Sequence, residues 1–253
     1  KFSELLPKEG TLIIHGDIEQ VHEITDGLSC NVVTFGHNES SLYYPTDITY
    51  NTFGCAGFIC HGPNGYTLSV TLGVPGEHNI YNALSAIALA KTLDITDIDI
   101  QTALTGFKGP GRRFEHKGDI GGVTVIDDYA HHPTEITATL SAAKNYPHKT
   151  TWCVFQPHTY TRTKSFLKEF AQALTLADKV VLADIYAARE TDTLGISSET
   201  LQKEIKSLGK ECFYFPSFDE IENFLLENCT CGDLLITMGA GDVHKIGENL
   251  LGI

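Results

Sequence analysis

The second half of the chain alternates short apolar segments with amphipathic ones, and this pattern constrains the fold more than any other feature. The apolar segments cover residues 123–127, 151–156, 179–184, 212–215 and 233–238. The amphipathic stretches between them cover residues 133–145, 162–176, 198–208 and 218–227. Repeated strand–helix units with apolar strands indicate a mainly parallel sheet covered by helices on both faces. The pattern therefore predicts a doubly wound α/β domain, in which ligands bind beyond the carboxyl ends of the strands.

The first part of the chain, up to about residue 112, has shorter and more varied segments. Strand-like segments cover residues 11–15, 31–35, 42–50, 58–60 and 66–74. The last of these alternates large apolar residues with smaller or polar ones, as a strand with one buried face does. Asn64-Gly65, just before it, favours positive φ angles and predicts a hairpin. A helix is predicted next, from the helical spacing of Ile80, Ala83, Leu84, Ile87 and Ala90.

The composition excludes several classes of protein. A formal net charge of −14 disfavours non-specific binding to nucleic acid or to an anionic membrane. No run of about 18 apolar residues occurs, so no membrane-spanning helix is predicted. The seven cysteines form no Cys-x-x-Cys pair, and Cys60, Cys153 and Cys212 lie in apolar segments. Unpaired, buried cysteines are typical of a reducing compartment, so we expect a cytoplasmic protein without nucleic-acid or membrane partners. The oligomeric state is not indicated.

Two polar clusters precede the α/β domain. Asn79 and Asn82 lie three residues apart at the start of the predicted helix, so they project from one face. Their carboxamides offer donors and acceptors to a heterocycle such as adenine; an ordinary helix cap is the alternative. Arg112 and Arg113 follow flexible glycines, and a guanidinium can bind a phosphate through two parallel hydrogen bonds. A solvated surface pair is the alternative for these two arginines.

Three further clusters follow predicted strands. Residues 127–133 combine two aspartates, a tyrosine and two histidines, groups that accept ribose hydroxyls or exchange protons near neutral pH. Residues 155–162 add His158 and Arg162, and residues 186–190 pair with a glycine-containing turn at 238–242. Neither the G-x-x-x-x-G-K-[ST] phosphate loop nor a G-x-G-x-x-G fingerprint is present, which disfavours a Rossmann dehydrogenase. We assign no metal ligand within the chain.

Together these clusters resemble the Mur ligase family. The specific pieces are His78-Asn79 with Asn82, Gly111-Arg112-Arg113-Phe114, residues 127–133, and residues 155–158 with 160–162. The resemblance implies that residues 1–112 are the C-terminal part of the central ATP-binding domain, an α/β region with a mixed sheet. It implies that residues 113–253 are the Rossmann-like C-terminal domain. It also places the family's phosphate loop and Mg²⁺ ligands upstream of Lys1, so we expect the isolated chain to be inactive.

The resemblance also implies an activity. The members most similar to this chain use ATP and Mg²⁺ to join L-alanine to the lactyl carboxylate of UDP-N-acetylmuramate through an acyl phosphate, in peptidoglycan synthesis. By motif, His78, Asn79 and Asn82 would bind adenine, Asp128 the ribose, and Arg112 or Arg113 the phosphates. Tyr129, His131, His158, Arg162 and Arg189 would surround the alanine. His131, Arg162 and Arg113 would be catalytic, with His131 accepting the ammonium proton.

Two departures from the family pattern and two further rival functions accompany this interpretation. Family members commonly have Arg at the position of Thr159 and Gly at that of Arg189, so we hypothesise that Arg189 supplies the displaced positive charge. The nearest rival is a recycling ligase that adds a whole tripeptide to UDP-N-acetylmuramate. Gln156-Pro157-His158 and Tyr186-Ala187-Ala188 favour the alanine-adding enzyme instead. A non-catalytic nucleotide-binding module is the rival for the chain alone.

Overall fold

The computed structural model describes residues 2–191 and 194–253. The chain divides into two compact units, Lys1–Lys108 and Gly109–Ile253. Over the described ranges, no helix has the length and apolar character needed to cross a membrane. Each unit has its own hydrophobic core, so each is described by itself.

Over its described residues, unit 1 contains five strands in two sheets and three α-helices. Strands β1 (Thr11–His15) and β2 (Asn31–Phe35) pair in parallel, whereas β3 (Tyr44–Tyr50), β4 (Cys55–His61) and β5 (Thr67–Pro75) form an antiparallel sheet. The helices are α1 (Val21–Thr25), α2 (His78–Thr92) and α3 (Asp97–Gly106). The predicted hairpin is confirmed: Asn64 and Gly65 have φ angles of 58° and 73° where β4 turns into β5.

The core of unit 1 lies between the antiparallel sheet and α2. The predicted alternation in β5 is confirmed, since Leu68, Val70 and Leu72 are buried against Ile80 and Leu84 of α2. Helix α3 was not predicted, because Ile100 is its one buried residue and no apolar stripe marks it. Side chains attach this helix to β5 instead: Gln101 Nε2 donates to the Ser69 carbonyl at 2.8 Å.

Unit 2 is the predicted doubly wound α/β domain. Its strands are β6 (Glu115–Ile120), β7 (Val123–Asp128), β8 (Thr151–Phe155), β9 (Lys179–Leu182), β10 (Glu211–Tyr214) and β11 (Leu234–Met238). Its helices are α4 (Pro133–Ala143), α5 (Tyr160–Ser165), α6 (Leu167–Leu174), α7 (Ser198–Ser207), α8 (Phe218–Asn228) and α9 (His244–Leu251). The strand order is β10-β9-β8-β11-β7-β6, and every pair is parallel except that of the edge strand β6 with β7.

Helices cover both faces of this sheet, as predicted. One face packs against α4, α6 and α7, with Leu140, Phe170 and Leu201 buried. The opposite face packs against α8 and α9, with Leu225 and Ile246 buried. Two of these helices have defined starts: Pro133 is the first residue of α4, and Ser197 Oγ accepts the Thr200 N–H at the start of α7.

Three elements of unit 2 differ from the prediction. The helix predicted over residues 162–176 is divided at Phe166, whose φ of −115° is not helical and whose ring packs edge-on against His132. Strand β6 was not predicted because its sequence is polar, as an exposed edge strand allows. Helix α9 was not predicted because it is short and contains Gly247, where a Cβ would come within 3.0 Å of Val125 Cγ1.

The strand order creates a crevice at the carboxyl edge of the sheet, around β11. Strands β7 and β8 lead into helices on one face, whereas β11 lies between them and leads into α9 on the other. Loops that leave neighbouring strands in opposite directions create a crevice at this edge. The polar clusters after β7, β8 and β11 therefore lie where a ligand of this domain is expected.

Candidate functional site

In unit 1, the predicted adenine residues stand at the start of α2. Asn79 Nδ2 donates to the Pro75 carbonyl at 2.7 Å, and Asn82 Nδ2 donates to Asn79 Oδ1 at 3.0 Å. Asn79 therefore orients Asn82, which is exposed and makes no other side-chain hydrogen bond within the described part of the chain. A free carbonyl oxygen beside an N–H is the pair of groups that an Asn uses to bind an adenine edge. His78 is exposed in the same turn.

In unit 2, Arg112 and Arg113 have different environments. The Arg112 guanidinium donates to Asp127 Oδ2 at 2.7 Å, to the Gly239 carbonyl at 2.8 Å and to the Gly241 carbonyl at 3.2 Å. The Asp127 side chain is 1% exposed, so this is a buried ion pair that joins the loop after β11 to β7. The Arg112 guanidinium thus uses its donors on groups of the protein itself.

Arg113 is exposed, and its guanidinium carbon lies 5.9 Å from the centre of the Tyr129 ring. Across residues 2–191 and 194–253 it has no carboxylate partner within 4.0 Å. Of the two arginines, Arg113 is therefore the one whose hydrogen-bond donors remain for an anion.

Asp128 is buried and holds the loop that follows β7. Its Oδ2 accepts the Phe114 N–H and its Oδ1 accepts the Ala130 N–H, both at 2.8 Å. Burial raises its pKa above the ordinary value although these hydrogen bonds act in the opposite direction. With 5% of the residue exposed, Asp128 shapes the loop. Its predicted contact with ribose stays a prediction.

His131 is oriented with one ring nitrogen available. Its Nδ1 lies 3.0 Å from the Tyr129 carbonyl oxygen, which can only accept, so Nδ1 carries the proton. In the neutral ring Nε2 then holds the lone pair and can accept a proton. Glu135 fixes this loop by accepting the N–H groups of His131 at 3.0 Å and His132 at 3.2 Å. Burial raises the pKa of Glu135, but these N–H groups and the charge of His131 hold it below the ordinary value.

Beyond His131, three side chains near the end of β8 have buried polar atoms without a partner. Within the described residues, no hydrogen bond reaches His158 Nδ1, Arg162 Nη1 or Gln156 Oε1. The His158 ring is 6.0 Å from the His131 ring, and burial together with the charges of Arg162 and His131 lowers its pKa. Since leaving a buried polar group unsatisfied is costly, such groups in one region point to a polar ligand.

Thr159, between His158 and α5, has a strained backbone. Its φ of 67° and ψ of 143° lie in a region that glycine occupies far more readily than a β-branched residue. Hydrogen bonds hold it there: the Thr159 N–H donates to the Tyr186 carbonyl at 2.9 Å, and the Tyr186 N–H donates to the Pro157 carbonyl at 2.8 Å. Strain of this kind is concentrated at functional sites.

Arg189 is exposed on the loop that these hydrogen bonds attach to the Thr159 segment. Its neighbour Glu190 accepts the Thr161 N–H at 2.9 Å and also the Thr161 hydroxyl. The loops after β8 and β9 are thus joined on both sides of Arg189. No contact of Arg189 with the other candidate residues is observed within the described residues.

The structure thus brings Tyr129, His131, His158 and Arg162 to one edge of the sheet, with Arg113 against Tyr129. Sequence reasoning did not assign Gln156 a role, although its position at the end of β8 was a usable signal. It also missed the role of the Glu135 carboxylate. His132 and Glu135 have the spacing of a helix capping box, which was a usable signal.

Comparison with known families gives two matches. The model described as Mur ligase, glutamate ligase domain matches residues 112–241, and that of the Mur ligase middle domain matches residues 1–90. A curated UDP-N-acetylmuramate–L-alanine ligase from Lachnospira eligens is 56% identical over 253 residues, covering 99% of this chain and 55% of the relative. The chain therefore spans about half the length of the curated relatives it matches.

Solved structures give the same fold. The crystal structure of UDP-N-acetylmuramate-alanine ligase from Thermotoga maritima superposes with a TM-score of 0.75 at 26% identity, over 99% of this chain and 60% of that one. A murein peptide ligase from Psychrobacter arcticus superposes with a TM-score of 0.70 at 24% identity, over 99% of this chain and 52% of that one. The second likeness concerns the fold alone.

Proposed function

Because the chain belongs to the Mur ligase family, we propose that it supplies the middle and C-terminal domains of an ATP-dependent ligase acting in peptidoglycan synthesis. In this proposal, the ligase joins the lactyl carboxylate of UDP-N-acetylmuramate to L-alanine, and it acts in the cytoplasm. The 56% identity to a ligase of that name supports the choice of substrates. The two family matches support the assignment of residues 1–112 and 113–253 to the two domains.

The single observation that carries the proposal is the set of unpaired polar atoms after β8. Free alanine is a zwitterion, so a site for it needs a donor for the carboxylate and an acceptor for the ammonium group. Arg162 Nη1 is such a donor and Gln156 Oε1 is such an acceptor, and both are buried without a partner among the described residues. We assign these two atoms to alanine, with His158 and Tyr129 beside them.

His131 then acts on the amine. An ammonium group must lose a proton before its nitrogen can attack the activated carboxyl carbon, and a neutral imidazole can accept that proton. Its Nδ1 donates to the Tyr129 carbonyl, so Nε2 is the atom that accepts the proton. The phosphate that leaves the carboxyl carbon gains negative charge, which a nearby guanidinium stabilises.

Nucleotide-binding groups are proposed for each unit by itself. ATP supplies the phosphoryl group that activates the carboxylate, and Mg²⁺ is the expected companion ion. The free carbonyl oxygen and N–H of Asn82, in the turn that also holds His78 and Asn79, suit the adenine edge. The phosphate role that the sequence leaves open between Arg112 and Arg113 is assigned to Arg113, because the Arg112 guanidinium is bound to Asp127 and two carbonyls.

The test is alanine-dependent phosphate release by the full-length ligase that contains these residues, with UDP-N-acetylmuramate as co-substrate. We expect His131→Asn to lower kcat by about 10²- to 10⁴-fold, the usual contribution of a general base, with a smaller change in the Michaelis constant for alanine. His116→Asn is the matched control, since His116 is exposed on β6. Release that requires a tripeptide instead of alanine would assign the chain to the recycling ligase, and no release with any amine would refute the proposal.

The role of Arg189 has a separate test. If Arg189 replaces the charge missing at Thr159, Arg189→Ala raises the Michaelis constant for alanine, and Thr159→Arg in the same protein lowers it again. Lys164→Ala is the control, because Lys164 is an exposed cation on α5 that donates to the Leu194 carbonyl. An unchanged Michaelis constant in Arg189→Ala contradicts this role and leaves the ligase proposal intact.

A further inference from the structure

A cluster of two histidines and one aspartate in unit 1 has no part in the proposed reaction. His15 ends β1, Asp17 lies two residues further on, and His37 follows β2. Because β1 and β2 are parallel, with His15 paired to Phe35, their carboxyl ends bring these residues together. One ligand atom from each residue can be chosen so that all three lie within 4.8 Å of one another.

The three groups already converge on one oxygen atom. His37 Nδ1 is hydrogen-bonded to Asp17 Oδ2, which also accepts the His37 backbone N–H at 2.8 Å. His15 Nε2 lies 3.9 Å from the same oxygen. In tetrahedral zinc sites, neighbouring ligand atoms are separated by about 3.4 Å, as metal–ligand distances of about 2.1 Å require. Side-chain movements of about 1 Å would therefore produce that geometry.

The surroundings limit how these side chains move. The His15 ring packs edge-on against Phe35 at 5.0 Å and against Tyr81 of α2 at 5.6 Å. The His37 ring lies 4.3 Å from the Tyr81 ring. The side chains of His15 and Asp17 are 29% and 26% exposed and that of His37 is 53% exposed, so the cluster is held on one side and open to solvent on the other.

A buried hydroxyl without a partner lies beside the cluster. Ser41 is 4% exposed, and its Oγ has no hydrogen bond within the described part of the chain. A Cβ on Gly36 would come within 2.5 Å of Ser41 Oγ and 2.7 Å of Asp17 Oδ2, so both oxygens lie close to a position that only glycine leaves open. A hydroxyl at this place can bind a water that completes the coordination of an ion.

We propose that His15 Nε2, Asp17 Oδ2 and His37 Nδ1 bind one divalent transition-metal ion of the zinc type, with water in the remaining position. Two imidazoles and one carboxylate favour Zn²⁺, Co²⁺ or Ni²⁺ over Mg²⁺, which prefers oxygen ligands. On binding, the ion takes the place of the proton between His37 Nδ1 and Asp17 Oδ2, and the neutral imidazole then carries its one ring proton on Nε2. This proposal concerns a different ion from the Mg²⁺ expected with ATP and does not depend on the proposed ligase activity.

The experiment uses the 253-residue chain without a histidine tag, freed of metal and titrated with Co²⁺ and with Zn²⁺. Visible absorption of bound Co²⁺ reports its coordination, and competition with a chromophoric chelator gives the affinity for Zn²⁺. We expect one equivalent of either ion to bind, with no competition from Mg²⁺. His15→Ala and His37→Asn should each weaken Zn²⁺ binding at least about tenfold, since even the loss of an outer-sphere partner costs that much.

Two control variants separate this site from other ligands. His22→Ala removes an exposed histidine of α1 in the same unit, and Cys231→Ser removes the exposed cysteine. Both should leave the affinity unchanged. His37→Asn keeps an amide donor for Asp17, and circular dichroism of each variant verifies that unit 1 remains folded. Absence of binding by the folded chain, or binding that is lost in Cys231→Ser and kept in His15→Ala and His37→Asn, would overturn the proposal.

Discussion

Replacing Arg112 by alanine should destabilise unit 2 substantially, although the residue is one of two adjacent arginines. The change leaves the Asp127 carboxylate, 1% exposed, with the Thr237 hydroxyl at 2.8 Å and without its cation. It also removes the donors to the carbonyls of Gly239 and Gly241. Breaking a buried ion pair costs about 3–5 kcal/mol, and we expect about 3 kcal/mol because the Arg112 side chain is 24% exposed.

The assay is urea unfolding followed by the fluorescence of Trp152. This is the single tryptophan of the chain, it is 1% exposed on β8, and it therefore reports on unit 2 alone. When the same fluorescence is followed during heating, the midpoint temperature should fall by about 10 °C, at about 3 °C per kcal/mol for a unit of this size. Arg113→Ala is the matched control: this exposed neighbour has no carboxylate partner within the described residues, so its loss should change the unfolding free energy by less than about 0.5 kcal/mol.

A second substitution tests the physical cause. Asp127→Asn in the Arg112→Ala protein removes the unpaired charge, so it should restore at least about 1 kcal/mol of the lost free energy. The reasoning would be refuted if Arg112→Ala and Arg113→Ala gave the same urea midpoint by Trp152 fluorescence. It would also be refuted if Asp127→Asn lowered the stability of the Arg112→Ala protein further.

Two further predictions concern the loops after β7 and β8. Because the folded-state pKa of Glu135 is lowered, its carboxylate contributes stability that is complete above the ordinary pKa of about 4.3 and is lost as the pH falls through the lowered value. Glu135→Gln should therefore cost about 0.5–1 kcal/mol in urea unfolding at pH 7 and progressively less below pH 4.3, and a pH-independent cost would contradict this. Thr159→Gly should raise the midpoint temperature of unfolding, because glycine relieves about 1 kcal/mol of backbone strain at φ 67°. Thr159→Ala should not raise it. Equal midpoints for the two variants would mean that the backbone is not strained.

The sequence alone predicted the doubly wound architecture of unit 2. Apolar strands and amphipathic helices have distinct periods, and a doubly wound sheet satisfies the resulting alternation by covering both faces. Elements without that periodic signal were missed: the polar edge strand β6, helix α3 with its one buried residue, and the short helix α9. Their positions depend on neighbours distant in the chain, such as the β5 carbonyls that bind α3.

The motifs also located the candidate site, because residues after parallel strands meet at one edge of a sheet. They did not distinguish Arg112 from Arg113, which are adjacent and chemically identical. Only the fold placed the Arg112 guanidinium against Asp127 and two carbonyls from a loop more than 100 residues away, and left Arg113 exposed.

The cluster of His15, Asp17 and His37 gives the clearest contrast between sequence and structure. His15 and His37 are 22 residues apart, which is not the spacing of a known metal-binding motif. Asp17 by itself does not indicate a metal site. The parallel register of β1 and β2 places their ends side by side and so creates the cluster. The sequence thus determines periodicity and local chemistry, which act over a few residues. Tertiary structure decides which donors share a partner, because that depends on distances between segments that no local pattern encodes.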